Sequence, residues 1–203
     1  MIIVIDYKTG NIGAVFNIVN RIGIEVKISS VSDEIAKANK LILPGVGSFD
    51  NAMKNLHDMN LLPILNRRVL KDKIPILGIC LGMQLMTKRS QEGKMPGLEW
   101  VDVETVRFKF DNNNSKKIPH MGWNSISITR NNALFNEVDE NFKFYFAHSY
   151  HILCNDEKYI LAKTCYGYEF VSVFNSDNIF GVQFHPEKSH RFGKKILENF
   201  LKL

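Results

Sequence analysis

Short apolar runs alternate with helical spacings through the first half of the chain. Ile2 to Ile5 reads as a buried strand. Asn11 is placed to cap a helix whose apolar positions Val15, Ile18, Val19 and Ile22 share one face, and Gly23 ends it. Ile24 to Ile28 predicts a second strand, Ser32 opens a short helix, and Lys40 to Leu43 predicts a third strand. A glycine-containing turn and two helical stretches follow, with Pro63 in the first turn of the second. Ile74 to Ile79 predicts a fourth strand that runs straight into the helical spacing of Leu81, Leu85 and Met86. Alternation of this kind argues for an α/β fold with a mainly parallel sheet.

The second half changes character. Strand-like runs dominate: Val103 to Phe108, Ser125 to Ile128, Phe142 to Phe146, Tyr159 to Ala162, Phe170 to Phe174 and Ile179 to Phe184. Asp111 to Ser115 reads as a plain turn or mobile loop, and a last helix spans roughly His190 to Leu201. The pattern predicts a single domain over residues 1–203, with a mainly parallel central sheet, flanking helices and an additional antiparallel β-layer.

Composition narrows this only a little. The 203 residues are 45% hydrophobic and 23% charged, as in an ordinary globular domain. No stretch is apolar enough to span a bilayer, and Met1 to Asp6 lacks a secretion signal, so a cytoplasmic location is expected. The net charge of +5 is spread out. Its densest pairs, Lys116-Lys117 and Lys194-Lys195, read as solvated faces, with an acidic or phosphate-bearing partner surface as the alternative, and neither a nucleic acid nor a membrane is expected as partner. Cys80, Cys154 and Cys165 form no Cys-x-x-Cys and no zinc spacing, so free thiols are expected, with no metal and no cofactor.

Candidate chemistry begins at Gly78-Ile79-Cys80-Leu81-Gly82, where the fourth strand meets a helix. This is the cysteine form of the nucleophile elbow. A sharp turn lifts the thiol from the sheet, and neighbours carrying a Cβ would clash. The helix N-terminus favours thiolate, and the Leu81 amide lies where an oxyanion would form. A buried core cysteine is the bland alternative. His185 ends the apolar run Ile179 to Phe184 and precedes Pro186, which biases it towards extended backbone. Residues two apart then share a side, so Glu187 can hold the imidazole that serves as base. A surface turn that merely starts the last helix is the alternative here. Gly45, Val46 and Gly47, directly after the third strand, suit a second oxyanion donor better than a dinucleotide loop, whose third glycine is missing. A plain strand-to-helix turn remains open. Met121 and Trp123 lie in a loop-like segment and read as a partner surface or as core.

These motifs closely resemble the class I (triad) glutamine amidotransferases. Within them, Lys117 to Asn124, Tyr145 to Tyr150 and Phe184 to Ser189 resemble the glutaminase subunits of imidazole glycerol phosphate synthases. The resemblance spans nearly the whole chain. It departs from the usual pattern at Asp6-Tyr7-Lys8-Thr9-Gly10-Asn11, where the family often has Asp-Tyr-Gly-Met-Gly-Asn, and at Gly97-Leu98-Glu99, where Gly-Leu-Gly is usual. The resemblance implies a flavodoxin-like fold, and a Cys80–His185–Glu187 triad that hydrolyses L-glutamine. It also implies oxyanion amides near Leu81 and Val46, and glutamine binding by Gln84, His148, Ser149 and Tyr150. The partner it implies is a (β/α)8 cyclase in a heterodimer, met by a surface including Met121, Trp123, Asn124 and Asn11. An amidotransferase feeding surface-sugar amidination, or a stand-alone cysteine hydrolase, would share the elbow.

Overall fold

The computed structural model describes residues 1–111, 116–139 and 141–203. Most of the turn expected at Asp111 to Ser115 lies outside the described residues.

The first half forms β1 (Ile2–Ile5), α1 (Ile12–Arg21), β2 (Val26–Ser29), α2 (Ser32–Ala36) and β3 (Lys40–Gly45). It continues through α3 (Phe49–Asp58), α4 (Leu62–Asn66), β4 (Ile76–Cys80) and α5 (Leu81–Leu85). A π-helical turn, Arg67–Lys71, extends α4. The second half holds β5 (Glu104–Arg107), β6 (His120–Ser125), β7 (Ser127–Ile128), β8 (Lys143–His148) and β9 (Tyr150–Leu153). Then come β10 (Ile160–Tyr166), β11 (Tyr168–Ser176), β12 (Ile179–Val182) and α6 (His190–Lys202).

Strands β2-β1-β3-β4-β12 run parallel in that order, the flavodoxin-like arrangement. The same sheet continues antiparallel through β11, β10 and β7, with β9 and β5 branching from β11. Strands β6 and β8 form a separate antiparallel pair.

Strand β1 shows why the central strands read as continuous apolar runs. Ile3 and Ile5 join the core on one face with α2, α3, α4 and α5, while Ile2 and Val4 join the core on the other with α1 and α6. Both faces are covered, so alternation is lost. Each large aliphatic buried this way contributes about 1.5–3 kcal/mol before entropy is subtracted.

Several expectations are corrected. Asn11 occupies the N-cap position of α1, but its side chain makes no capping bond. Strand β3 extends two residues past Leu43, to Gly45. Strand β6 replaces the loop expected around Met121 and Trp123, and β9 is a strand that the sequence pattern does not predict. In β6 the usual alternation is turned inside out. His120 is buried and Asn124 half-buried, whereas Met121 and Trp123 are exposed. A search for apolar-in, polar-out alternation passes over such a strand.

Both departures from the family's pattern place a non-glycine in the left-handed region. Lys8 has φ 61° and Glu99 φ 55°, and both side chains are exposed. A Cβ is disfavoured there. Lys8→Gly and Glu99→Gly are each expected to raise stability by about 0.5–1 kcal/mol, read as a higher urea midpoint. A lower midpoint would show that the side chains contribute contacts outweighing the backbone strain.

Candidate active site

The C-terminal edge of the parallel sheet builds the site, as is usual for open α/β sheets. Gly45, last residue of β3, pairs in register with Cys80, last residue of β4. Strand β12 lies on the other side of β4, with Val182 opposite Ile79, and delivers Gln183 and His185 just past its end. Three neighbouring strand ends therefore converge.

Cys80 has φ 53° and ψ −108°, a strained conformation for a residue with a Cβ. The strain is held by the packing of α5 directly onto the strands. A Cβ on Gly82 would sit 1.8 Å from the Leu43 carbonyl oxygen, and one on Gly78 would sit 2.8 Å from the Gly82 carbonyl. The elbow glycines thus let helix and sheet touch backbone to backbone. Helix α5 has only five residues, so the first-turn amides matter more here than a long helix dipole.

His185 and Glu187 are both buried, their side chains 3% and 2% exposed. His185 Nδ1 lies 2.8 Å from Glu187 Oε1, which leaves Nε2 for the sulfur. The sequence expectation placed both residues on extended chain, and the geometry differs from that. His185 is extended, whereas Glu187 sits in a 3₁₀ turn, Pro186–Lys188. Burial alone would lower the His185 pKa. The charge and hydrogen bond of Cys80, together with Glu187, outweigh it and raise the value to about 10. These interactions favour the protonated imidazole beside the sulfur. The second Glu187 oxygen, Oε2, is buried without a hydrogen-bond partner.

A cavity of about 290 Å³ opens above Cys80. Val46, Gly47, Leu81 and Gln84 line it from the sheet side, and His148, Ser149 and Tyr150 from the β8–β9 corner. Gly45, expected to contribute to the site, does not line the cavity. Its identity has a packing reason, since a Cβ there would come within 2.8 Å of the Tyr7 hydroxyl and of Leu81. Gly47 is different: a Cβ would meet nothing within 4 Å, but φ is 121°, so the backbone conformation requires it. Gln84 is committed to the protein as well as to the cavity, its Nε2 donating to the Tyr150 carbonyl at 3.0 Å and to Gln183 Oε1 at 3.1 Å.

Met121 lines both this cavity and an adjoining groove that includes Trp123 and Asn124. Trp123 is exposed and stacks on His190 at 5.4 Å. Asn11 stands exposed at the start of α1.

Sequence reasoning missed two residues. Glu92 lines the cavity, and its Oε2 accepts from the Phe49 amide at 3.0 Å. Burial raises its carboxyl pKa, against the lowering effect of that bond. It lies in a polar turn far along the chain, where no local pattern marks it. Gln183 is fully buried beside Cys80, its Nε2 3.7 Å from the sulfur. A polar residue inside the run Ile179 to Phe184 was the available signal. Among the described residues no cluster of His, Cys, Asp or Glu could hold a metal ion, and no helix is long and apolar enough to cross a membrane.

A thiol on a strained elbow, with a histidine–carboxylate pair behind it, is the equipment for acyl transfer from an amide. The chain belongs to the class-I glutamine amidotransferases, whose family model, "Glutamine amidotransferase class-I", matches residues 3–203. It is similar to the protein named imidazole glycerol phosphate synthase subunit HisH 2 of Methanococcus maripaludis, with 51% identity over 202 residues, covering 100% of this chain and 99% of the relative. The corresponding figures are 43% over 203 residues for HisH 2 of Pseudomonas aeruginosa and 47% over 204 residues for HisH 1 of Campylobacter jejuni, each covering 100% of both chains. Among solved structures, one described as a glutamine amidotransferase superposes with a TM-score of 0.77 at 17% identity, covering 98% of this chain and 97% of that one. A glutamine amidotransferase from Thermotoga maritima gives 0.63 at 18% identity, covering 99% and 82%. These two likenesses establish the fold alone.

Proposed function

We propose that this chain is the glutaminase subunit of an imidazole glycerol phosphate synthase, acting in the cytoplasm for histidine biosynthesis. The reading rests on the convergence of Cys80, His185 and Glu187 at one sheet edge, joined to full-length similarity with proteins bearing that name.

In this reading the Cys80 sulfur attacks the side-chain amide carbon of L-glutamine. The developing oxyanion lies within reach of backbone amides near Leu81 and Val46. His185 gives its proton to the leaving nitrogen, which departs as ammonia and leaves a γ-glutamyl thioester. Water then attacks the thioester, His185 takes a proton from it, and glutamate leaves. Glu187 fixes the ring so that Nε2 faces the sulfur. Glu92 is a carboxylate on the cavity wall suited to the substrate's α-ammonium, while His148, Ser149 and Tyr150 shape the opposite wall.

Free ammonia would be protonated and lost in bulk water, so the acceptor reaction belongs on a covering partner. The partner proposed is a (β/α)8 cyclase subunit in a heterodimer. It combines ammonia with a phosphoribulosyl-formimino nucleotide to give imidazole glycerol phosphate and an aminoimidazole carboxamide nucleotide. Met121 on the cavity wall and Trp123 in the adjoining groove are both exposed and suit that contact.

Glutamate release with the chain alone, with the cyclase, and with the cyclase plus its nucleotide tests the reading. Turnover is expected to rise at least roughly tenfold when both are present. Equal, rapid turnover in all three conditions would overturn it in favour of a stand-alone hydrolase. Cyclase-independent stimulation by another synthase would point to a different acceptor.

A further inference from the structure

We infer that Gln183 is a positioning residue for the Cys80 nucleophile and the inner end of a hydrogen-bond relay reaching Asn124 on β6. The inference rests on the assignment of Cys80 as nucleophile.

Gln183 Nε2 donates to Cys80 Sγ at 3.7 Å, and Gln183 Oε1 accepts from Gln84 Nε2 at 3.1 Å. The Gln84 amide also donates to the Tyr150 carbonyl at 3.0 Å. That carbonyl lies 2.7 Å from His148 Nδ1, which must therefore carry hydrogen. His148 Nε2 is then an acceptor, and His120 Nδ1, 3.0 Å away, is its donor. His120 Nε2 becomes an acceptor in turn, facing Asn124 Nδ2 at 3.3 Å.

The outer end imposes the same polarity independently. The Ser125 amide donates to Asn124 Oδ1 at 2.9 Å, and Asn124 Nδ2 donates to the Cys165 carbonyl at 3.0 Å. The Asn124 amide is thereby oriented with its nitrogen towards His120. Two backbone carbonyls, Tyr150 on the inner side and Cys165 on the outer, agree on every donor and acceptor in the His148–His120–Asn124 stretch between them. Gln84, His120, His148 and Gln183 are all buried, where an unmade bond costs most. Burial also lowers both histidine pKa values, His120 to about 4, which keeps both rings neutral as the relay demands.

The chemical consequence falls on the sulfur. A thiolate gains from a buried N–H donor, and this donor is held by Gln84, whose amide is itself fixed by a further bond to the Tyr150 carbonyl. The titratable groups facing the sulfur are His185 and Tyr7; Gln183 adds a neutral donor that does not itself titrate.

The test uses the full chain with Cys154→Ser and Cys165→Ser, so that iodoacetamide reports on Cys80 alone. Gln183→Met, similar in size but without a donor, is expected to slow alkylation at pH 7 roughly tenfold, with the deficit narrowing as pH rises. Gln183→Glu, which puts an oxygen against the sulfur, slows it further. Unchanged alkylation in a Gln183→Met chain with a normal thermal transition overturns the positioning role. If both variants misfold, ¹⁵N-histidine NMR of the unaltered chain decides. His120 and His148 are expected neutral at pH 7 with hydrogen on Nδ1, and Asn124→Asp is expected to move the His120 hydrogen to Nε2. Either ring in the Nε2–H form in the unaltered chain breaks the relay. Neither readout uses glutamine or a synthase, so failure here is distinct from failure of the proposed function.

Discussion

Cys80→Ala is expected to reduce glutamine hydrolysis by about 10⁵-fold or more, the loss seen when the nucleophile of a coupled triad is removed. The substitution takes away only the sulfur. Alanine fits the elbow, because the site already accommodates a Cβ at φ 53°. Folding and partner binding should persist. The expected signature is therefore split: glutamine-dependent synthesis by the complex disappears, while synthesis supplied with ammonium salt at alkaline pH continues. Paired assays of the same purified complex check this. Retained glutaminase activity would mean that another group attacks the amide.

Gly82→Ala is expected to have the largest effect on stability. The added Cβ would lie 1.8 Å from the Leu43 carbonyl oxygen and 2.8 Å from the Leu43 carbonyl carbon. Both atoms belong to a central strand, β3, which is hydrogen-bonded on both sides and cannot retreat. Helix α5 must therefore lift, opening the core around Leu81, Met83 and Leu85. Overpacking of this kind costs about 3 kcal/mol or more, at the upper end for one methyl group. Thermal unfolding should shift down by roughly 6–12 °C for a domain of this size. An unshifted transition would show that α5 does not press on β3 as described.

The parallel half of the fold was legible because its central strands are buried on both faces and are punctuated by helices. The apolar runs beginning at Ile2, Lys40 and Ile74 needed no knowledge of distant contacts. Cys80 and His185 were legible for the same reason, since each ends such a run. What escaped was set by pairing across the chain. Strand β6 is identified by its partner β8, thus by residues some two dozen positions later, and its own alternation is reversed. Gln84 could be assigned to the site but not to its bonds, because Tyr150 and Gln183 meet it only in three dimensions. Glu92 entered the cavity from a turn whose composition resembles any other polar turn.

The reversed strand has a consequence for the economy of the cell. Met121 is 64% exposed and Trp123 45%, so chains synthesised in excess of their cover carry an adhesive patch into a crowded solution. Surplus copies would be drawn to one another, or to quality-control proteins, in proportion to their number. If the proposed cyclase is that cover, matched production of the two chains, as from one shared transcript, is the simplest way to keep the patch out of sight.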